Sequence, residues 1–391
     1  MTWSADRALA RVRPLLLAGL TDEPHPSYPG AVVGLDDGTD RRTIHAGDAL
    51  RYLDDVELRP ADRIPVQADT VFDLASLTKV VTLLVVLGLV HDGRLELGDA
   101  VARHLTEYRR PETEAITVRQ LLTHTSGLPA VLHLWQTEPD PVRRPASVLA
   151  AIPERAPGST FVYSCTGFLT LALLVERLTG QPFDETVAER VSDPLGLGLG
   201  YRPLRAGVDR DRIAATECRD DAYRTALGSV LPTISPGWAD RPTDLRGVVH
   251  DENAASLSGV AGNSGLFGTA DDLLVLGRAL LDALAGRRDL PGLDADLVRE
   301  MVRPQLGPDT VWPGYQSGLA LRIDDPGFMG ELAGTGQAYG HTGFTGTSLV
   351  LDADRDLAVA ILTNRVHPSR EWSDLQTFRG AVHTTIARAD D

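Results

Sequence analysis

The longest apolar run of the 391-residue chain, Val80 to Val90, constrains the fold more than any other segment. Its eleven residues fall well short of the roughly 20 needed to cross a bilayer. With its flanks it extends from Ser76 to His91, too long for a strand, and reads as a buried helix stopped by Asp92-Gly93. A helix apolar on every side has to be covered on every side. The chain must therefore wrap other elements around residues 76–91.

Those elements are visible as patterns. Residues 3–20 show the spacing of an amphipathic helix, and Ala31–Leu35 with Arg42–Ala46 flank an Asp-Asp-Gly turn as a β-hairpin. Residues 115–305 carry mostly helical patterns joined by Pro- and Gly-rich connections, and Asp220–Arg246 reads as an irregular surface excursion. Ser317–Ile323, Thr347–Leu351 and Leu357–Thr363 are short β-like runs, followed by a last helix over Trp372–Ala387. Strands at both ends with helices between them predict an α/β fold of the α+β type. One antiparallel sheet would be built from both termini and flanked by terminal helices, with a helical lobe beside it. The division expected is a sheet domain from 1–75 and 250–391, and a mainly helical domain from 76–249. The active site is expected in the cleft between them.

Composition excludes several function classes. Lys plus Arg total 38 against 54 Asp plus Glu, a formal net charge of −16. Such a surface repels nucleic acid and anionic lipid, so neither partner is expected. Two cysteines, Cys165 and Cys218, make neither a disulfide framework nor a zinc site, and no cofactor is implied. The N-terminus shows no basic leader with an apolar core and small-residue cleavage site, which points to the cytoplasm. Of the 38 basic residues, 37 are Arg and one is Lys, at position 79. Arg stays charged at any working pH, whereas a Lys amine can be desolvated, lose its proton and act as a base.

That lysine lies three residues after Ser76 in VFDLASLTKVV. On a helix the two share a face, so an amine discharged by Leu74, Val80 and Val81 could take the proton of the hydroxyl. The same pair also reads as an N-cap and an ordinary helix residue. FVYSCTGF places Tyr163 just before a helical run, where its phenol could shuttle protons. GHTGFTGTSLVLD is a Gly-rich β-type segment in which His341 precedes a strand edge. Read alone, that tyrosine suits packing and that histidine an ordinary polar position.

In this order the three segments resemble the S-x-x-K, Y-x-N and K-T-G marks of the serine β-lactamase and penicillin-binding-protein superfamily. The likeness is to its class C-like branch, with D-aminopeptidases, family VIII carboxylesterases and related acyl hydrolases, where the third motif often reads H-T-G. LLTHTSGLP and HDGRLELGDAV also look like that branch. The resemblance implies Ser76 as the acylated nucleophile, Lys79 as its base, Tyr163 as the proton shuttle and His341 in place of the third-motif Lys. It also implies an oxyanion hole from the backbone N–H groups of Ser76 and Phe344, with Thr342 and Gly343 beside the substrate. Cys165 stands where the branch usually has Asn, and a thiol is a weak partner for an acylamino carbonyl. His341 also lacks the permanent charge that would hold a β-lactam carboxylate. A dedicated β-lactamase is therefore not expected.

GVVHDENA followed by GVAGNSGLFGTADDL looks like bacterial exo-acting N-acetylmuramoyl-L-alanine amidases, with Asn263 where those relatives carry His. His250 and Asn253 then belong to the pocket wall. Because His250 to Asn253 are contiguous rather than spaced on one helix face, a metal site is not expected. The function expected is a serine hydrolase cleaving an amide or ester of a small or peptide-like acyl substrate. Acyl transfer, peptide cyclisation and a non-catalytic binding module of the same fold are the alternatives.

Overall fold

The computed structural model describes residues 4–54, 56–219, 221–235, 244–307, 310 and 315–389. Ser4 caps helix α1 (Ala5–Gly19), which leads to strands β1 (Gly30–Asp36), β2 (Arg41–Leu50) and β3 (Ile64–Pro65). The apolar run forms helix α2 (Thr78–His91), followed in the lobe by α3 (Cys165–Thr179) and on the sheet by α4 (Ala270–Leu284). The C-terminal part supplies β4 (Gln316–Ser317), β5 (Arg322–Ile323), β6 (Ala338–Thr342), β7 (Ser348–Asp352), β8 (Leu357–Thr363) and helix α5 (Gln376–Ala387).

Among the described residues these strands make one antiparallel sheet in the order β3-β2-β1-β8-β7-β6-β5-β4. The two chain ends meet at its centre, where Val33 of β1 faces Ile361 of β8 and Ile44 of β2. Alternation of side chains then divides the core. Ala31, Val33 and Leu35 pack with α1 and α5 on one face, while Val32 joins α2 and α4 on the other. Helix α2 has Thr78 through Leu89 all buried, as its composition demanded. No helix among the described residues is long and apolar enough to cross a membrane.

Three expectations are corrected. Ser317–Ile323 is two short strands, β4 and β5, paired Arg322 to Ser317 around a tight turn in which Ala320 has φ +54°. His341 lies inside strand β6 rather than ahead of a strand, because Gly340 and Gly343 hide the alternation. The segment Asp220–Arg246 is no surface excursion where it is described. Short helices at Asp221–Ala226 and Leu231–Ile234 bury Tyr223, Leu227, Leu231 and Ile234 against Leu245. Breaks at Gly228 and Pro232 obscure their periodicity, and Asp220 and residues 236–243 lie outside the described residues.

The covered helix should be the stability centre. Leu87→Ala, at a fully buried position, should cost about 2–5 kcal/mol in urea unfolding. Leu17→Ala, at a residue 46% exposed, should stay within about 0.5 kcal/mol.

Candidate active site

Ser76 is held by the turn that precedes α2. Phe72 and Asp73 pair with Gly268 and Phe267 in a small three-stranded sheet, and the chain then turns through Ala75 at φ +48°. An alanine in this left-handed region is strained and persists only when its surroundings fix it. Here they do. The Asp73 carboxylate accepts the N–H of Ala75 at 2.8 Å and that of His250 at 2.6 Å. Thr345 Oγ1 donates to the Asp73 carbonyl at 2.7 Å, and Thr347 Oγ1 to that of Leu74 at 3.0 Å. The end of β6 is pressed against this turn at Gly343, where a Cβ would lie 2.0 Å from Thr347 Oγ1 and 2.6 Å from the Leu74 carbonyl oxygen.

One helical turn on, Lys79 is fully buried and its Nζ lies 2.9 Å from Ser76 Oγ. Nζ also reaches the carbonyl of Asn263 at 3.0 Å and Cys165 Sγ at 3.6 Å. Burial works against the ammonium, but its interactions with Cys165 and Tyr163, and then with Asp251, outweigh it, so the Lys79 pKa lies above the ordinary lysine value. The expectation of an amine discharged by its apolar neighbours is thereby corrected: polar partners, absent from the local sequence, hold the proton on. Burial in turn pushes the Cys165 thiol up, with the Lys79 charge opposing.

Tyr163 precedes α3, whose N-cap Ser164 accepts the N–H of Gly167 at 3.2 Å and donates to the Pro129 carbonyl at 2.8 Å. The Tyr163 ring lies with its centre 5.0 Å from Lys79 Nζ. Behind it stands His124, at φ +58° and with ring centres 4.6 Å apart. Burial, then the Lys79 charge, drives the His124 pKa down to about 3, so it is a neutral packing surface. His341 is also neutral, its pKa held well below the histidine range by burial and by Lys79 and Arg322. Its Nδ1 donates to the Thr342 carbonyl at 2.8 Å. It stands near Tyr163, with ring centres 6.0 Å apart, but lines neither cavity beside Ser76. Its ring belongs to the wall beside Tyr163.

Two cavities flank Ser76, Tyr163 and Phe344. One, of about 360 Å³, is lined by Thr342 and Gly343 and by Arg322, Arg365 and Arg379. Arg379 is buried and donates to the carbonyls of Gly343 at 2.9 Å and Thr347 at 2.8 Å, while its Nε has no hydrogen-bond partner among the described residues. Burial, then the charges of Arg365 and Arg322, pulls its pKa down to about 9. Arg365 Nε donates to the Phe344 carbonyl at 2.7 Å, with its guanidinium 4.5 Å from that ring's centre. The positive charge missing from His341 is thus present, supplied by side chains that sequence reading did not single out.

The second cavity, of about 450 Å³, is lined by Val131, Leu132 and Trp135 together with Cys165, Asp251 and Ser264. His250 and Asn253 line it as expected, but their polar atoms are engaged. His250 Nε2 pairs with Glu217 at 3.0 Å, and its ring stacks 5.5 Å from Phe344. Asn253 Oδ1 accepts the N–H of Leu134 at 3.1 Å, and its Nδ2 donates to the Leu132 carbonyl at 2.5 Å. Both residues hold the wall. Among the described residues no group of three or more His, Cys, Asp or Glu could hold a metal ion.

Residues 29–383 match the family model described as Beta-lactamase. An N-acetylmuramyl-L-alanine amidase of Bacillus subtilis (strain 168) is 29% identical over 357 residues, covering 87% of this chain and 78% of that one. An Escherichia coli (strain K12) protein provisionally named a D-alanyl-D-alanine carboxypeptidase is 31% identical, covering 78% and 71%. Among solved structures, a class C β-lactamase aligns with TM-score 0.71 and 16% identity over 98% and 95% of the two chains. The hydrolase EstCE1, titled as having promiscuous acyltransferase activity, aligns with TM-score 0.68 and 20% identity over 98% of each. These two likenesses are of fold.

The contact between β6 and the turn before α2 is directly testable. Gly343→Ala should lower stability by about 1–3 kcal/mol in urea unfolding, because backbone as well as a side chain has to yield. It should also slow fluorophosphonate labelling of Ser76, since the displaced Leu74 carbonyl belongs to the same turn.

Proposed function

The chain belongs to the β-lactamase family and is a serine hydrolase of that fold, and we propose that Ser76 is the residue it acylates, with Lys79 as base. The observation that carries the reading is the 2.9 Å contact between Lys79 Nζ and Ser76 Oγ at the meeting point of the two cavities. Once it has lost its own proton, Lys79 takes that of Ser76, and Oγ attacks the acyl carbonyl. The negative charge on the carbonyl oxygen is met by the backbone N–H groups of Ser76 and Phe344. Arg365, bonded to the Phe344 carbonyl, helps to hold the backbone of that residue in place. Tyr163 hands a proton to the leaving nitrogen or oxygen, the carbonyl–leaving-group bond breaks, and the acyl group stays on Ser76. Water then attacks the ester, gives up one proton through the same groups, and returns Ser76 to its starting state.

The substrate is a small or peptide-like amide or ester. The three arginines of the first cavity favour one carrying a carboxylate, because Arg presents paired donors to that group and is charged at neutral pH. His341 in this scheme positions Tyr163. A neutral ring in the wall cannot replace a cation.

Ser76→Ala and Lys79→Arg should each lower turnover of p-nitrophenyl acetate by about 10³-fold or more. Mass spectrometry after fluorophosphonate treatment should place the adduct on Ser76; an adduct on Cys165 instead would overturn the assignment. Because the Lys79 pKa is raised, the amine is free only towards alkaline pH. The kcat/KM for this ester, corrected for background hydrolysis, should therefore climb with pH through the neutral range and fall steadily on acidification. A profile that is flat above neutrality counts against Lys79 as the base.

A further inference from the structure

We propose that Asp73 is a positioning residue for the oxyanion hole: its ionised carboxylate holds the backbone of Ser76 and, through His250, the ring of Phe344 in register, and a proton on it disables the site. The inference rests on Ser76 being the acylated residue and deepens that reading.

Asp73 is 2% exposed and lines neither cavity beside Ser76, so it acts only through its neighbours. Its partners are backbone N–H groups rather than a cation. Oδ1 accepts the N–H of Ala75 at 2.8 Å, and Thr347 Oγ1 holds the carbonyl of that same peptide at 3.0 Å. The peptide ahead of the strained Ala75 is thereby fixed at both ends, and the N–H of Ser76 follows directly after it. Oδ2 accepts the N–H of His250 at 2.6 Å. The ring of His250, bonded to Glu217 at 3.0 Å, lies 5.5 Å from that of Phe344. Arg370, paired with Glu217 at 2.7 Å and Glu252 at 2.6 Å, stands 5.5 Å from the same Phe344 ring. The Asp73 carbonyl accepts Thr345 Oγ1 at 2.7 Å, from the residue next to Phe344. One residue is thus bonded towards both expected oxyanion donors.

Two N–H donors require two acceptor oxygens, and only the ionised carboxyl offers both. Once it is protonated, one oxygen becomes a donor facing an N–H, and one of the two links is lost. Burial, which favours the neutral acid, brings the Asp73 pKa up to about 7 against the pull of those two bonds. The charged groups acting on it are Asp251, which raises the value, and Arg219, which lowers it. The strand opposite, Leu266–Gly268, and the turn at Thr345 bring no titratable side chain. His124, His250 and His341 are all pushed below the ordinary histidine value, so a limb near neutrality belongs to Asp73. Acylation then needs two deprotonations, of Asp73 and of Lys79.

The test is the pH profile of kcat/KM for p-nitrophenyl acetate, corrected for background hydrolysis, in the unaltered full chain and in Asp73→Asn. The unaltered profile should steepen below about pH 7, where both Asp73 and Lys79 must lose a proton. Asp73→Asn should lower kcat/KM at mildly alkaline pH by about 10- to 100-fold, and its profile should rise with a single slope, the steeper limb gone. An unaltered profile without that steepening, a variant as active as the unaltered chain, or a uniform loss that keeps the steeper limb each overturns the positioning role. Fluorophosphonate labelling read by mass spectrometry on the same samples separates this from the reading beneath it. Label on Ser76 leaves the serine hydrolase standing whatever Asp73 does; its absence from Ser76 in the unaltered chain overturns that reading and the positioning role with it. Should Asp73→Asn not fold, the unaltered profile decides alone.

Discussion

The site depends on a lysine enclosed in the core without an ion-pair partner among the described residues. Removing an ammonium from water costs several kcal/mol, and here the direct compensation is three acceptors, with the Asp251 carboxylate acting through space. The hydroxyl of Ser76, the carbonyl of Asn263 and the sulfur of Cys165 surround Nζ. Each comes from a different part of the chain, so Lys79 joins the turn before α2, the start of α3 and the loop ahead of α4. An arginine could not take this place. Its guanidinium is wider than the space an Nζ occupies and holds its proton throughout. The single lysine of the chain and the wholly buried helix are two sides of one constraint.

Sequence reading reached the features that local pattern determines. Helix α2 was legible because its apolar residues are contiguous, and the first hairpin because a turn signal separates two apolar segments. Ser76 and Lys79 were legible because one helical turn fixes their proximity whatever the rest of the fold does. The electrostatics were not. The direction of the Lys79 shift is set by Cys165, Tyr163 and Asp251, which lie 84 to 172 residues away in the sequence. Arg322, Arg365 and Arg379 escaped for the same reason. They come from β5, the end of β8 and α5, and in a chain with 37 arginines none stands out. Ala75 and His124 carry their significance in positive φ angles, which non-glycine residues do not announce.

The resulting cleft has two unlike sides about Ser76 and Phe344. Three arginines and Asp374 line one cavity; the other joins an apolar wall to Asp251, Glu252 and Arg370. Phe344 stands between the two, 49% exposed, with Arg365 on one side of its ring and His250 stacked against it. An exposed aromatic of this kind is costly on an ordinary surface but useful where both sides are meant to be covered by a bound molecule. On the reading proposed above its backbone N–H is part of the oxyanion hole, so the residue that separates the cavities would also bear on the chemistry between them.

The arginine-lined cavity carries its own energetic consequence. Arg379 is buried beside two further guanidinium groups, and its pKa of about 9 records how poorly that charge is accommodated. A group whose charged form is disfavoured on folding subtracts from stability wherever the unfolded chain would keep the proton. On the reading proposed above, a substrate carboxylate in this cavity would offset that cost by giving the guanidinium groups a counter-charge. Attraction of a substrate carboxylate and the cost of burying Arg379 then have the same origin. A neutral residue at position 379 would remove that cost together with the bonds to the Gly343 and Thr347 carbonyls.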